Sequence, residues 1–383
     1  MSLALTNGRL LIDDALVEGQ AVLIDQGRIL GVVAAKAVPA GFAITDLDGG
    51  LLAPGFIDTQ VNGGGGVLFN DTPDAEAIAR IGAAHRRYGT TGFLPTLIST
   101  DLATVGQAIE ATRQAMAAGA PGVLGIHIEG PFLSAKRKGI HDASTFRRVD
   151  EEALALLTSL EAGRTLVTLA PEACSAAFVR HLAEAGVIVS AGHTDAAYAA
   201  VREALDHGLT GFTHLFNAMS PLTSREPGVV GAALEDIHAW CGIIVDGRHV
   251  DPVVLKLAMR CRPLNRFMLV TDAMPCVGGA QDVFVLQGKT IHVRDGACYD
   301  EAGTLAGSNL DMAGAVRNAI AMMGVTVPQA LQMASRNPAE FLGLGRELGR
   351  IAPGYRADLV LLDEALAVRE TWIGGAPSTG AAA

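Results

Sequence analysis

The chain has 383 residues, enough for one large barrel or two ordinary domains with a sizeable buried core. Half of the residues are hydrophobic and 18% are charged, a composition typical of a globular protein and not of a disordered one. The formal net charge of -11 argues against general binding to nucleic acid or to a membrane surface, because both partners require a positive field.

The N-terminus shows no sign of an export signal, since it lacks a basic segment followed by an apolar stretch and a cleavage site. No uninterrupted apolar run approaches the ~20 residues that span a bilayer. The five cysteines are widely spaced and include no Cys-x-x-Cys pair, so we expect reduced thiols without a disulfide framework. We therefore expect a cytoplasmic protein.

The two ends of the chain have the same pattern, in which short apolar runs are broken by glycine, aspartate and asparagine. This pattern is typical of small antiparallel β structure. We predict a small β-sandwich domain formed by both termini, residues 1–53 and 350–383, around a different middle domain, residues 54–349.

In that middle domain, short apolar strands alternate with alanine-rich stretches of helical periodicity. Eight β-α units favour an α/β fold, a (β/α)8 TIM-like barrel, whose active site lies where the strands end. A doubly wound sheet also contains β-α repeats, but it rarely needs eight in one run. The eight strand candidates are 51–59, 92–99, 122–129, 165–172, 187–193, 211–217, 241–247 and 267–273.

Four polar residues stand at or near the carboxyl ends of four different predicted strands: Glu129, His193, His214 and Asp272. In a closed barrel these ends meet at one mouth, so we expect the four side chains to be neighbours. Two imidazoles and one carboxylate form the three-ligand set of an open catalytic metal site. A divalent metal such as zinc lowers the pKa of its water towards about 7, and Asp272 can accept that water's proton and return it to a leaving nitrogen.

The expected chemistry is therefore amide or ester hydrolysis without a protein nucleophile. A single histidine on a strand is more often a core or surface residue than a ligand, and we expect His127 to be such a case. Lys136, Arg137 and Lys138 form a charge run that is typical of a solvated face. We assign this run no role beyond weak attraction of an anionic substrate.

Eight blocks recur in the order known from one family: PGFIDTQVNGGGG, HIEGPF, AGHT, FTHLFNAMSPLTSREPG, VDGRHV, LVTDAM, LAGSNL and GRIAPGYRADLVLLD. Through them the chain resembles the N-acetylglucosamine-6-phosphate deacetylases of the amidohydrolase superfamily over almost its whole length. The resemblance implies hydrolysis of N-acetyl-D-glucosamine 6-phosphate to D-glucosamine 6-phosphate and acetate, a step of amino sugar catabolism. It also implies that Glu129, His193 and His214 are the metal ligands and that Asp272 is the general base and acid.

The same resemblance implies roles in holding the substrate. The matching phosphate residues are Asn217, the backbone at Ala218, Arg225 and His249. A guanidinium suits a phosphate because it offers a planar fork of donors. The resemblance also implies a homodimer in which Arg225 or His249 reaches the neighbouring subunit's site.

Two further segments match residues near the acetyl group or the sugar hydroxyls. Ile140 and His141 follow the third predicted strand, and His141 would help to stabilise a developing oxyanion. The wall of the acetyl pocket would be formed by Leu305, Ala306, Gly307 and Ser308.

Gln60 and Asn62 stand at the positions where many members of the superfamily have His-x-His. The segment APEACS after the fourth strand also lacks the lysine that bridges two metals in such members. Neutral amides bind a divalent ion weakly compared with imidazole. We therefore predict one divalent metal per subunit, zinc or else iron, manganese or cobalt. Gly63 to Gly66 would let the backbone pass close to the sugar pocket.

Several alternatives stay open. N-acetylgalactosamine 6-phosphate is the nearest rival substrate, because discrimination at one hydroxyl can rest on one or two side chains. Another amide hydrolase of the superfamily is a second possibility, although NAM and SREPG favour a phosphosugar, and a non-catalytic barrel that binds without metal is a third. A nucleotide site is disfavoured because the four glycines match neither a Walker loop nor Rossmann spacing.

Overall fold

Eight parallel strands form a nearly closed barrel in the computed structural model, which describes residues 2–378. Strands that follow each other in sequence are neighbours in the sheet, and the first and last strands approach each other through a bridge between Val61 and Ala273. The predicted TIM-like barrel is therefore confirmed. Its strands are Phe56–Val61, Thr90–Ile98, Gly125–Glu129, Arg164–Leu169, Ile188–Ala191, Leu209–Phe212, Trp240–Ile243 and Phe267–Leu269.

Helices cover the outside of the barrel, and many of them begin at a capping side chain that accepts a backbone hydrogen bond. Asp74 accepts from the amide of Ala77, and Asp101 accepts from that of Thr104. The α-helices are Ala75–Arg86, Leu102–Ala117, Glu151–Leu157, Ala176–Glu184, Tyr198–Asp206, Gly228–Glu235, Pro252–Cys261, Met312–Asn318, Val327–Ala334 and Arg336–Phe341.

The first predicted strand, 51–59, is two strands that belong to different domains. Leu51–Pro54 pairs in a sheet of the small domain, and Phe56–Val61 begins the barrel. Gly55 joins them at a point of close approach, where an added Cβ would lie 2.0 Å from Thr91 Oγ1. Both strands are buried throughout, so the apolar pattern of the sequence does not reveal the boundary between the two domains.

Strands from both termini form the small β domain, as predicted. The C-terminal strand Leu359–Leu362 pairs antiparallel with Leu51–Pro54, and Leu5, Val22 and Trp372 share its core. The four-stranded sheet contains Leu3–Thr6, Gln20–Asp25, Arg28–Ala34 and Ala43–Asp46. The six-stranded sheet contains Arg9–Ile12, Ala15–Val17, Leu51–Pro54, Leu359–Leu362, Val368–Ile373 and Ala376–Pro377.

An antiparallel sheet that the sequence did not predict follows the last barrel strand. Its core includes Leu68, Ile140 and Met274, so it lies against the mouth of the barrel. The strands are Val283–Leu286, Lys289–Arg294, Ala297–Asp300 and Leu305–Ser308. A short hairpin, Gly63–Gly64 with Val67–Leu68, lies on the same side.

All five cysteines are free, as predicted. Cys276 and Cys298 are both buried, with their sulfur atoms 3.7 Å apart. Among residues 2–378, the helices are too short or too polar to cross a membrane.

Candidate active site

Three of the predicted residues form a tight buried cluster at the mouth of the barrel. One ligand atom from each of Glu129, His193 and His214 lies within 4.8 Å of the others. His214 Nε2 is 2.9 Å from Glu129 Oε1 and 3.1 Å from His193 Nε2. His193 Nε2 lies 3.3 Å from the same carboxylate oxygen. The strand-end positions therefore converge as the sequence predicted.

The backbone at these positions is unusual. Glu129 ends its strand in extended conformation, but His193, His214 and Asp272 lie beyond their strand ends with φ of 48°, 34° and 52°. The left-handed region costs a residue other than glycine about 1–3 kcal/mol, and such positions cluster at functional sites. The surrounding barrel must hold these turns in place.

The cluster has the donor chemistry of a divalent metal site. His193 Nδ1 donates to the carbonyl of Arg137 at 2.9 Å, so its Nε2 presents a lone pair to the cluster. His214 Nε2 lies 3.1 Å from His193 Nε2, and both nitrogens face Glu129 Oε1, so the three groups converge on a point where a shared proton or a cation stabilises them. Two imidazoles and one carboxylate fit one zinc-like ion with an open position.

Electrostatics keep the Glu129 carboxylate ionised. Burial acts to raise its pKa, but the hydrogen bonds and charges of His193 and His214 outweigh burial and hold the pKa well below its usual value. An ionised carboxylate is the form that ligates a metal.

Asp272 lies beside the cluster and is held by two amides. Its Oδ1 accepts from Asn62 Nδ2 at 2.6 Å and from Gln60 Nε2 at 3.2 Å, and Gln60 Nε2 also lies 3.2 Å from Glu129 Oε1. Burial and the negative charge of Glu129 raise the pKa of Asp272. A raised pKa suits a group that must both accept and donate a proton near neutral pH.

His141 presents a neutral imidazole to the same space. The amide of Ser99 donates to His141 Nδ1 at 3.3 Å, so Nδ1 accepts and Nε2 carries the proton. Burial, together with nearby His193, lowers the pKa of His141 well below its usual value. The ring is therefore neutral and offers its Nε2–H as a donor, which is the group that a hydrogen bond to an oxyanion requires.

A cavity of about 330 Å³ opens above these groups. Seven of the residues matched to substrate roles line it: Ile140, His141, Asn217, Ala218, His249, Leu305 and Gly307. Ala306 and Ser308 are buried behind this wall, and the amide of Ser308 donates to the carbonyl of Asp272 at 2.9 Å. Among the described residues, Arg225 stands apart, in an exposed loop outside the cavity lining.

His249 is fixed by a carboxylate on the far side of its ring. Its Nδ1 lies 2.6 Å from Asp246 Oδ2, and both side chains are largely buried. Burial acts to raise the pKa of Asp246, but the bonds to His249 and Arg248 lower it overall. The ring is thus oriented with Nε2 free to face a ligand.

Two groups lie where the sequence did not place them. Lys136 and Arg137, treated as part of a solvated run, line the cavity. Gly63 to Gly66 do not line it in the described structure; instead, the amides of Asn62 and Gly63 both donate to the carbonyl of Ala273 at 3.0 Å. A Cβ at Gly63 would lie 2.4 Å from the carbonyl oxygen of Val67. The glycines therefore support the Asp272 segment and do not approach the sugar pocket.

His127 is the core histidine that the sequence predicted. It is buried below the cluster, with Nε2 2.7 Å from Thr168 Oγ1 and Nδ1 3.3 Å from Thr96 Oγ1. Burial lowers the pKa of His127 to about 4, so its ring is neutral near pH 7.

Comparison with known proteins agrees with this geometry. Residues 51–378 match the Amidohydrolase family. The chain belongs to the amidohydrolase family. It is 44% identical over 331 residues to N-acetylgalactosamine-6-phosphate deacetylase of Shewanella sp. (strain ANA-3). This match covers 86% of this chain and 83% of that protein.

Two solved structures are similar over nearly the whole chain. N-acetylglucosamine-6-phosphate deacetylase from Pasteurella multocida superposes with a TM-score of 0.95 at 34% identity, covering 99% of this chain and 100% of that one. A mutant of the Mycobacterium smegmatis enzyme, in complex with N-acetyl-D-glucosamine-6-phosphate, superposes with a TM-score of 0.90 at 34% identity, covering 98% and 99%.

Proposed function

We propose that this protein deacetylates N-acetyl-D-glucosamine 6-phosphate, releasing D-glucosamine 6-phosphate and acetate. The observation that carries the proposal is the convergence of Glu129, His193, His214 and Asp272 on one cavity. Similarity to phosphosugar deacetylases supports the choice of substrate. The protein would act as a cytoplasmic hydrolase of amino sugar metabolism.

Glu129, His193 and His214 would hold one divalent metal per subunit, zinc first and iron, manganese or cobalt as alternatives. When bound, such a metal lowers the pKa of a water and polarises a carbonyl oxygen. The side-chain amides of Gln60 and Asn62 both donate hydrogen bonds to carboxylates of the site. This engagement supports one metal per subunit and not two.

Asp272 would act first as base and then as acid. It takes a proton from the water as the water's oxygen bonds to the acetamide carbon, and the carbonyl becomes an oxyanion. His141 donates a hydrogen bond from Nε2 to that oxyanion. Asp272 then gives the proton to the sugar nitrogen as the C–N bond breaks, and acetate and the amine leave.

The substrate-side residues keep their proposed roles. Asn217, Ala218, His249 and Arg225 would hold the phosphate, and a homodimer would bring Arg225 to the neighbouring subunit's cavity. The exposure of Arg225 supports this last point, because an exposed loop is free to meet a partner. Ile140 and the segment Leu305, Ala306, Gly307 and Ser308 would form the acetyl pocket. The proposed domain boundaries are 1–53 and 350–383 around 54–349, and the small-domain strand Leu51–Pro54 extends one residue past the first of them.

A second candidate substrate is N-acetylgalactosamine 6-phosphate. The identity of 44% to the Shewanella protein of that name favours it. The two sugars differ at one hydroxyl, and a single hydrogen bond in the wall can decide between them.

The test is acetate release from each N-acetylated hexosamine 6-phosphate by apoprotein reconstituted separately with zinc, iron, manganese or cobalt. We expect activity with one metal per chain and a clear preference for the glucosamine substrate. A preference for the galactosamine substrate would establish the second candidate. Absence of bound metal and of acetate would leave a non-catalytic barrel.

A further inference from the structure

The outer wall of the cavity contains a pair of cations. Among residues 2–378, Lys136 and Arg137 are the only lysine or arginine side chains that line it. Glu129 and Asp272 lie at the inner end of the same cavity, and their carboxylates would repel a phosphate dianion. The phosphate of a substrate is therefore expected at the outer end, where the two cations lie.

Arg137 is held in place by a carboxylate. Its Nε donates to Asp195 Oδ1 at 2.8 Å, and Lys136 Nζ lies 3.3 Å from Asp195 Oδ2. The two terminal amino groups of the guanidinium have no protein partner within the described chain. The Arg137 side chain is 34% exposed, whereas that of Lys136 is 79% exposed, so Arg137 is the better positioned of the two.

The anchor of Arg137 lies next to the segment Asn217–Ala218. Asp195 receives its own support from Glu172, whose Oε1 accepts from the Asp195 amide at 2.6 Å. The preceding residue, Thr194, donates from its amide to the carbonyl of Ala218 at 3.0 Å. The segment that anchors the guanidinium is thus hydrogen-bonded to the segment to which the phosphate was assigned, and Arg137 lines the same cavity as that second segment.

We propose that Arg137, assisted by Lys136, is a phosphate-binding residue that acts within its own chain. This proposal deepens and rests on the proposed function, since it says how a phosphorylated sugar is selected. The free edge of the guanidinium offers two parallel N–H donors, the geometry that matches phosphate oxygens. Arg225 would add to the site only from another subunit.

The backbone of Arg137 also contacts the proposed metal ligand His193. The experiment must therefore distinguish the role of the Arg137 side chain from that of its backbone. The carbonyl of Arg137 accepts from His193 Nδ1 at 2.9 Å. Arg137→Ala keeps this carbonyl and removes only the guanidinium. Arg137→Lys keeps the charge and removes the planar fork.

The matched control is Lys138→Ala, which removes one positive charge from the same loop at a residue outside the cavity wall. Each variant is compared with the parent protein for metal content, and for kcat and KM with the phosphosugar and with the same sugar lacking phosphate. Inhibition by inorganic phosphate is measured alongside, as a probe of the anion site alone.

We expect Arg137→Ala to raise KM for the phosphosugar, and the inhibition constant of inorganic phosphate, about tenfold or more. Metal content, kcat and the kinetics of the unphosphorylated sugar should stay unchanged. For both constants, Arg137→Lys should give values between those of Arg137→Ala and the parent. Lys136→Ala should raise them less than Arg137→Ala does, and Lys138→Ala should keep them within about twofold of the parent.

Two results would overturn the proposal. Equal losses on both sugars would show that Arg137 acts by shaping the loop, and an effect no larger than that of Lys138→Ala would show that only overall charge matters. If the parent protein releases no acetate from any sugar, the proposed function fails instead. The anion site is then judged from direct titration with inorganic phosphate, where equal binding by parent and Arg137→Ala rejects it.

Discussion

At the inner end of the cavity, the functional side chains follow the ends of barrel strands and are buried, whereas at the outer end they come from loops. His193 and His214 are 6% and 3% exposed, and each follows its strand by two residues. At the outer end, Arg137 depends on an ion pair with Asp195, and Arg225 lies in an exposed loop. The inner end is thus fixed by the barrel itself, and the outer end by contacts at the surface of the protein.

The largest effect should come from the inner end. His193→Ala or His214→Ala removes one of three converging ligands, so we expect loss of most bound metal and a fall in kcat/KM of about a thousandfold or more. Metal analysis of the purified variants measures the first loss, and the kinetics of acetate release measure the second. His127→Gln is the matched control, because His127 is an equally buried histidine outside the cluster. Full metal content in both alanine variants would reject the ligand assignment.

Asp272→Asn should separate catalysis from metal binding. The substitution preserves shape but removes the proton acceptor, so we expect kcat to fall about 10²–10⁴-fold while metal content and substrate affinity stay near those of the parent. Steady-state kinetics with metal analysis give the answer. A normal rate would exclude Asp272 as base and acid.

Asn62→Leu should have a smaller effect, because it removes a hydrogen bond that orients Asp272 and leaves the carboxylate in place. The 2.6 Å bond from Asn62 Nδ2 to Asp272 Oδ1 leads us to expect a fall in kcat of about 10–100-fold with metal retained. The double variant with Asp272→Asn tests the mechanism. If Asn62 acts through Asp272, adding Asn62→Leu to Asp272→Asn should cost little more, whereas independent multiplication of the two losses would contradict it.

The inner end was largely predictable from sequence because its residues follow apolar strands, and parallel strands bring their carboxyl ends to one mouth. The positive φ of His193 and Asp272 was not predictable, since tertiary contacts impose it on residues that do not prefer it. The interpretation of Gln60 and Asn62 as an empty metal position missed their bonds to Asp272, which join residues about 210 positions apart.

The outer end was harder to predict for a different physical reason. A run of lysine and arginine looks the same in sequence whether it faces solvent or a cavity, and the ion pairs of Lys136 and Arg137 with Asp195, 58 or 59 positions away, have no local signal. The four glycines have the same ambiguity, because a close approach of backbone can serve a ligand or a neighbouring segment. Here the segment after Asp272 is the neighbour.

The smallest effect should come from Arg225→Ala, at the most exposed part of the phosphate end. We expect KM for the phosphosugar to rise about three- to tenfold, with no change for the unphosphorylated sugar, because the lost contact is charge-assisted but open to solvent. Equal loss on both sugars would mean that Arg225 does not recognise phosphate.

A mixture of two variant chains decides which subunit Arg225 serves. If Arg225 reaches the partner's cavity, a mixed dimer of Arg225→Ala and Asp272→Asn chains contains one site with both Asp272 and a neighbouring Arg225. Mixing the chains should then restore the low KM at that site. If Arg225 folds back to its own cavity, the chain with an intact Asp272 still lacks the arginine, and mixing leaves KM as high as in Arg225→Ala alone. That outcome would place both ends of the cavity in a single chain, with the inner end still fixed by the barrel and the outer end by loop contacts.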